Sequence, residues 1–148
     1  MEQTLIIIKP DAVERGLTQP MTQFLEKENF EVIASLKSVL PFDVVRILYE
    51  EHASKPFFVS VLNYMTSSQA LVLVVQREDA IAHAISLCGC TDPTLAEPHT
   101  IRGIWGLNKE HNSIHRSDSQ KSAQREIAIF FPTLIDKVAP IFSFLDSE

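Results

Sequence analysis

The stretch HNSIHRSDSQKSAQREI, residues 111–127, holds the side chains whose types and spacing best suit chemistry. A neutral imidazole can act as a nucleophile near neutral pH, because its unperturbed pKa is about 6.5. His115 precedes a polar turn and a run with helical periodicity, in which Glu126 lies on the same apolar stripe as Ala123. Glu126 can therefore face inward and orient the imidazole, or lie in water at the edge of the stripe. By type alone, His115 also suits a structural role at the end of a strand.

Glycine-rich motifs that bind phosphate through the backbone are absent from the sequence. The chain has four glycines and contains neither G-x-G-x-x-G nor G-x-x-x-x-G-K-[ST], and it also lacks the hydrolase motif G-x-S-x-G. Any phosphate that this protein handles must therefore be bound by side chains.

The two cysteines, Cys88 and Cys90, are one residue apart. A disulfide between them would close a very small, strained ring. A metal site that joined them with His83 and His99 would match none of the usual zinc spacings. We therefore predict two free thiols.

Length and composition predict one globular domain, residues 1–148, in the cytoplasm. The chain is 45% apolar and carries a formal charge of −6, which disfavours strong nucleic-acid binding or binding to an anionic membrane. Its apolar runs are too short for a membrane span, and its N-terminus lacks the basic region of a signal peptide.

Hydrophobic periodicity predicts strands alternating with helices, hence an α/β or α+β fold with four short strands in one open sheet. The predicted strands cover residues 4–9, 30–40, 70–75 and 113–116. The predicted helices cover residues 18–28, a segment capped by Asp43, a segment after Pro56, residues 79–87 and residues 120–131.

Other local signals concern the ends of these elements. Pro10 is expected to end the first strand, and TIRGIWG is expected to form a turn before the fourth. Either Ser117 or Ser119 can cap the last helix, and Ser117 with Gln120 fits a capping box. Pro132 ends that helix.

Several motifs together resemble the nucleoside diphosphate kinase family. NSIHRSDS, residues 112–119, is similar to the family motif N-x-x-H-G-S-D-S. IIKPDAVERGL near the N-terminus, KPFF followed by YM, CTDP and TIRG occur in the family's order and spacing. The resemblance extends from Thr4 to about Pro132, and the set of motifs is far more specific than any one of them.

The resemblance implies a fold and an activity. The fold would be a ferredoxin-like βαββαβ core, with a four-stranded antiparallel sheet covered by helices. The activity would be transfer of the γ-phosphate of a nucleoside triphosphate to a nucleoside diphosphate through a phosphohistidine at His115, which maintains nucleotide pools. The expected partners are nucleoside di- and triphosphates and further copies of the chain, in a hexamer or tetramer. Mg²⁺ would arrive on the nucleotide phosphates, with Asp118 nearby at most through water.

By the same resemblance, the remaining site residues have expected roles. The transferred phosphate, the other phosphates and the sugar would be contacted by Lys9, Tyr49, Thr91, Arg102 and Asn112. The base would stack on Phe57, with Val61 beneath it, and His115 would be held by Ser117 and Glu126.

Two positions depart from the family pattern. The family has a phosphate-binding arginine where this chain has Ile85, and a glycine where it has Arg116. Glycine adopts backbone angles that arginine disfavours, so the turn at His115 is expected to be altered. Arg116 can alternatively restore the missing charge. These departures support a second hypothesis, a kinase-like module that binds nucleotides and transfers little or no phosphate.

Overall fold

The centre of the fold is a four-stranded antiparallel sheet. The structure is a computed structural model, and it describes residues 1–134. The strands are β1 (Glu2–Ile8), β2 (Glu31–Val39), β3 (Gln69–Arg77) and β4 (Ile114–Arg116), in the spatial order β2-β3-β1-β4. All neighbouring strands are antiparallel. The predicted four-stranded sheet is confirmed. The single-domain prediction for residues 1–148 also covers residues 135–148, which lie outside the described residues.

Helices cover both faces of the sheet. They are α1 (Pro10–Glu14), α2 (Thr18–Lys27), α3 (Phe42–Leu48), α4 (Phe58–Met65), α5 (Ala80–Cys88), α6 (Ile101–Trp105) and α7 (Gln120–Phe130), with short 3₁₀ turns at Glu50–His52 and Pro93–Leu95. None of these helices, within residues 1–134, is long and apolar enough to cross a membrane.

Strand β1 is buried on both faces because its side chains alternate between two cores. Ile6 and Ile8 pack with α2 and α5 on what we call the α5 face. Leu5 and Ile7 pack with α3, α4 and α7 on what we call the α7 face. This double burial explains why LIII, residues 5–8, is an unbroken apolar run.

The pairing of β4 with β1 decides where the site residues lie. His115 is opposite Ile7, and Arg116 is opposite Ile6. Since paired residues point to the same side of a sheet, His115 lies on the α7 face and Arg116 on the α5 face. The two consecutive residues therefore meet different surroundings.

Several predicted element boundaries are wrong. Pro10 ends β1 but also begins α1, because proline fits the first position of a helix, where its missing N–H has no partner to lose. Asp43 lies within the first turn of α3, whose N-cap is Pro41. TIRGIWG is largely helical, with the Thr100 side chain accepting from the backbone N–H of Gly103 as the N-cap of α6.

Ser119 is the N-cap of α7 and accepts a hydrogen bond from the Ser122 backbone N–H at 3.0 Å. The capping box of Ser117 and Gln120 is wrong, because the buried Ser117 hydroxyl bonds to Glu126 instead. The altered turn expected at Arg116 is also wrong. Arg116 is an extended residue of β4, and the positive φ in this segment belongs to Ser113, at 78°.

Candidate active site

The His115 ring is hydrogen-bonded to a buried carboxylate, that of Glu126. Its Nε2 lies 2.9 Å from Oε1 of Glu126, and Ser117 donates to that same oxygen at 2.8 Å. Burial works to raise the pKa of Glu126, but the hydrogen bonds from His115 and Ser117 outweigh it, so the pKa lies below its usual range. The carboxylate is therefore charged at neutral pH. Of the two positions that the spacing left open for Glu126, the structure shows the inward one, with the side chain buried.

This hydrogen bond fixes the imidazole tautomer. A carboxylate accepts from an N–H, so Nε2 of His115 carries the proton and Nδ1 keeps its lone pair. Nδ1 lies 3.4 Å from the Tyr49 hydroxyl. Burial, and then the charge of Glu126, raises the pKa of Tyr49, so Tyr49 is a phenol at neutral pH. The arrangement gives a nucleophilic nitrogen beside a neutral hydrogen-bond donor.

Lys9 lies at the point where β1 passes into α1, and it is nearly fully buried. Its ammonium donates to Oδ1 of Asn112 at 2.8 Å. Asn112 in turn donates to the backbone carbonyl of Thr91 at 3.0 Å. One hydrogen-bonded series therefore joins three predicted site residues from distant parts of the chain.

Arg102 projects from α6 and is 5% exposed. Its guanidinium donates to the backbone carbonyl of Gly89 at 2.9 Å and to that of Ile114 at 2.8 Å. These bonds join the end of α5 to β4, next to His115. Burial lowers the pKa of Arg102, and the charge of Arg116 adds to this effect. The Nε of Arg102 is buried and has no hydrogen-bond partner among residues 1–134.

The pKa of Lys9 is also lowered. Burial, followed by repulsion from Arg102, lowers it to about 7, against opposing effects of Asp11 and Glu110. An anion placed between Lys9 and Arg102 would relieve this repulsion and favour the charged ammonium. These two cations therefore suit a polyanionic ligand.

Phe57 and Val61 lie one helical turn apart at the start of α4. Phe57 is 48% exposed, whereas Val61 is half-buried against the core of the α7 face. The Phe57 ring contacts His52, with centroids 6.1 Å apart, and His52 contacts Tyr49 at 6.5 Å. A row of rings thus connects the exposed face of Phe57 to the surroundings of His115.

The two positions that depart from the family pattern lie near each other in the fold. Ile85 is half-buried in the last turn of α5, and β4 packs against that helix. Arg116 forms an ion pair through Nη1 with Asp118, whose side chain is 63% exposed. Asp118 therefore lies at the surface, beyond the end of β4.

Sequence reasoning missed a buried cluster that supports Lys9. Asp11 accepts hydrogen bonds from the hydroxyls of Tyr64 and of Ser113, the latter at 2.9 Å. Ser113 also accepts from the Lys9 backbone N–H at 2.9 Å through its carbonyl. The acidic residue directly after Lys-Pro, at a helix N-terminus, was the signal that could have identified Asp11.

The structure thus brings most of the predicted residues into one region at the open edge of β4. His115, Tyr49, Glu126 and Ser117 are linked by hydrogen bonds, as are Lys9, Asn112 and Thr91. Arg102 donates hydrogen bonds to the backbone carbonyls of Gly89 and Ile114, between these groups. Phe57 and Val61 lie farther out on α4, and Asp118 is directed to solvent. A nucleophile flanked by buried cations suits transfer of an anionic group.

Known proteins are similar to this chain in sequence and in fold. The nucleoside diphosphate kinase family profile matches residues 2–134. The nucleoside diphosphate kinase of Thermobifida fusca is 42% identical over 134 residues, which cover 90% of this chain and 99% of that protein. The nucleoside diphosphate kinase of Methanocaldococcus jannaschii is 42% identical over 130 residues, covering 88% and 93%.

Solved structures agree. A crystal structure of nucleoside diphosphate kinase from Encephalitozoon cuniculi has a TM-score of 0.87 at 34% identity, covering 88% of this chain and 89% of that one. A halophilic nucleoside diphosphate kinase from Halobacterium salinarum, solved in complex with CDP, has a TM-score of 0.86 at 35% identity, covering 88% and 87%. The α+β sheet order is that of the predicted ferredoxin-like fold. The chain belongs to the nucleoside diphosphate kinase family.

Proposed function

We propose that this protein, a phosphotransferase by its family, moves the γ-phosphate of a nucleoside triphosphate to a nucleoside diphosphate through a phosphohistidine at Nδ1 of His115. The observation that carries the proposal is the hydrogen bond from Nε2 of His115 to Glu126, which leaves the lone pair on Nδ1. Maintenance of nucleotide pools follows from such an activity.

In the first half-reaction, the Nδ1 lone pair of His115 attacks the γ-phosphorus, and the bond from that phosphorus to the bridging oxygen breaks. The nucleoside diphosphate leaves with the electron pair. The phosphorylated imidazole keeps its Nε2 proton and gains positive charge on the ring, which the Glu126 carboxylate stabilises. A second nucleoside diphosphate then attacks the phosphorus through a terminal oxygen, and the P–N bond breaks. No net proton transfer is needed in either direction.

Positioning and charge supply most of the catalysis in phosphoryl transfer. Lys9 would contact the transferred phosphate and the sugar, and Tyr49 would donate a hydrogen bond beside Nδ1. The phosphates would be held by Arg102 and Thr91. The supporting observations are the burial of both cations and the hydrogen bond from Asn112 that fixes the Thr91 backbone.

Asn112 would bind a sugar hydroxyl, since it already lies against the Lys9 ammonium. The base would stack on the exposed ring of Phe57, with Val61 beneath it. Stacking on one ring discriminates weakly among bases, because every base has a π-face. Low base selectivity is therefore expected.

The divalent metal is proposed to be Mg²⁺. Residues 1–134 contain no group of three or more metal-binding side chains. Mg²⁺ commonly keeps several waters and is held by substrate phosphates with one or two carboxylates, and the exposed carboxylate of Asp118 would suit a contact through water. Bound there, Mg²⁺ would neutralise phosphate charge.

We further propose a homo-oligomer, a hexamer or tetramer, in the cytoplasm. The outer edge of β2 carries partly exposed Leu36 and Val39, which is a surface suited to a further copy of the chain. The free thiols of Cys88 and Cys90 suit a reducing compartment. Light scattering after gel filtration would test the assembly.

The second hypothesis, nucleotide binding with little transfer, finds no support in this geometry. A site that only binds nucleotides has no need of a buried carboxylate behind an imidazole. Steady-state exchange kinetics distinguish the two hypotheses. We expect parallel double-reciprocal lines when donor and acceptor nucleotides are varied, since the first product leaves before the second substrate binds. Tight nucleotide binding without exchange would select the binding module.

A further inference from the structure

Arg116 is a charged residue next to His115 that has no role in the proposed mechanism. It follows His115 directly and lies on the α5 face of β4, where its side chain is 18% exposed. We propose that Arg116 is a phosphate-binding residue of this site. Its guanidinium would bind the nucleotide's phosphates from the α5 face, beside Arg102. The inference rests on the proposed function and adds a binding residue to it.

The first observation is a concentration of positive charge. Lys9, Arg102 and Arg116 act on one another, since Arg102 lowers the pKa of Lys9 and Arg116 lowers that of Arg102, each after the effect of burial. Glu126 is bound to His115 and Ser117, so it does not pair with these cations by hydrogen bonding. Like charges held together in a partly buried place suit an anionic ligand.

The second observation concerns unused hydrogen-bond donors. The Nε atoms of both Arg102 and Arg116 are buried, and neither has a hydrogen-bond partner among residues 1–134. Buried donors normally have a partner, so each unpaired one calls for an explanation. Guanidinium groups bind phosphate with several N–H groups at once, so a phosphate is an acceptor that suits these donors.

The third observation is the position of Arg116 relative to α5. Arg102 donates to the carbonyl of Gly89, the C-cap of α5, at 2.9 Å, and β4, which carries Arg116, packs against that helix. Burial raises the pKa of Cys88, in the last turn of α5, to about 11, and the charges of Arg102 and Arg116 oppose this rise. One turn earlier in α5 stands the half-buried and apolar Ile85. The positive charge at this end of α5 therefore comes from Arg102 on α6 and Arg116 on β4.

The ion pair with Asp118 does not account for these features. Asp118 is 63% exposed, and exposed ion pairs hold their partners weakly. The pair uses Nη1 of Arg116 and leaves Nε unbonded. A doubly charged phosphate group can therefore draw the guanidinium away from Asp118.

The test is a graded series at one position. Arg116→Lys keeps the charge but loses the planar fork, and Arg116→Gln loses both. We expect ADP affinity, measured by calorimetry, to fall several-fold for the lysine variant and about ten- to a hundred-fold for the glutamine variant. Arg46→Gln, which removes an exposed arginine from α3, is the matched control and should bind ADP as the wild type does.

Two further measurements separate phosphate binding from a structural role. A diphosphate with another base, such as dTDP, should lose the same factor as ADP in Arg116→Gln, because Arg116 would contact the part that they share. In the Arg116→Gln background, Ile85→Arg returns a guanidinium to the end of α5 and should recover part of the affinity. Thermal melts of every variant identify changes that follow from lost folding.

The proposal is overturned if folded Arg116→Gln binds ADP like the wild type. If that variant is unfolded, unchanged ADP affinity of Arg116→Lys overturns it equally, because an ammonium cannot make the bidentate contact. The proposed function fails separately. A wild-type protein that forms no phosphoenzyme with Mg-ATP refutes the phosphohistidine, whereas unchanged ADP affinity in a folded Arg116→Gln that still forms the phosphoenzyme refutes only the role of Arg116.

Discussion

The two faces of β4 carry consecutive residues whose surroundings differ in hydrogen bonding and in charge. On the α7 face, His115 lies in a closed set of hydrogen bonds with Glu126, Ser117 and Tyr49. On the α5 face and at the strand's end, Arg102 and Arg116 have mutually unfavourable charges and buried Nε atoms without a hydrogen-bond partner among the described residues. Hydrogen bonds within the protein hold His115 in place. In the proposed mechanism the cations bind an anionic ligand.

This difference predicts which substitutions should change the rate of phosphoryl transfer and which should change nucleotide affinity. Residues on the α7 face fix the tautomer and the charge of the phosphorylated ring, so their loss should slow transfer at constant affinity. In the proposed mechanism the residues of the cationic group contact phosphates in every bound state, so their loss should weaken binding.

The largest effect is expected from His115→Ala. Removal of the proposed nucleophile should reduce nucleotide exchange to the background rate, while the fold stays intact because His115 belongs to neither apolar core of the sheet. A coupled exchange assay with a thermal melt measures both. His83→Ala on α5 is the matched control and should exchange at the wild-type rate. Exchange by His115→Ala at the wild-type level would remove His115 from its role.

Glu126→Gln comes next. The amide keeps the shape of the side chain and can still accept from Nε2, but it lacks the charge that stabilises the phosphorylated ring. We expect phosphorylation to slow about ten- to a hundred-fold, with ADP affinity unchanged. Rapid-quench kinetics and calorimetry measure the two quantities.

The control for Glu126→Gln is Glu26→Gln on α2, an exposed position remote from the site. Wild-type phosphorylation kinetics in Glu126→Gln would show that the buried carboxylate is structural. A loss of ADP affinity as large as the loss of rate would contradict the division of labour between the two sides of β4.

Lys9 should make nucleotide binding depend on pH. Its pKa of about 7 in the free protein must rise when phosphates bind, because an anion favours the charged ammonium. Below pH 7, Lys9 is mostly protonated before the nucleotide binds, so binding adds only a small fraction of a proton to it. Above pH 7, binding must add a proton to it, so uptake rises toward one proton per nucleotide and affinity falls with pH.

Calorimetry of ADP binding in buffers of different ionisation enthalpy measures this uptake. The phosphates of ADP also exchange protons, so the informative quantity is the difference between the wild type and Lys9→Met. That difference should be near zero at acidic pH and grow as the pH passes 7. An equal proton count for both proteins across the range would contradict the lowered pKa of Lys9.

The smallest effect is expected from Ile85→Arg in the otherwise unchanged chain. If Arg116 already supplies the cation at the end of α5, a further guanidinium adds repulsion as well as a donor, so ADP affinity should change only a few-fold. Loss of apolar packing by the half-buried Ile85 should lower the melting temperature. A gain of about a hundred-fold in affinity would instead mean that the site lacked a cation.

The sequence predicted the sheet and the group around His115 because these rest on local signals. β1 and β3 contain apolar runs, β2 alternates apolar and polar residues, and helical spacing places Glu126 on or beside the apolar stripe of one helix. The short helices α1 and α6 were missed. Five residues give too little periodicity to detect, and a proline that ends a strand can also begin a helix.

The support of Lys9 was hidden for a different reason. Asp11 bonds to Tyr64 and Ser113, which are 53 and 102 residues away in the chain. No spacing rule connects residues so far apart, because the contact exists only once α1, α4 and the segment before β4 have packed together. The role of each face of β4 likewise depends on the register with β1, which one sequence does not specify.

The central claim is that His115 carries the phosphoryl group, and the mass of the intact protein tests it most directly. After incubation with Mg-ATP, the wild-type chain should gain one phosphoryl group, lose it in acid, and lose it also on addition of a nucleoside diphosphate. Peptide mapping should locate the group on His115, and His115→Ala should stay unmodified. A wild-type protein that exchanges nucleotides yet never gains the mass, or that gains it equally after His115→Ala, would contradict the account.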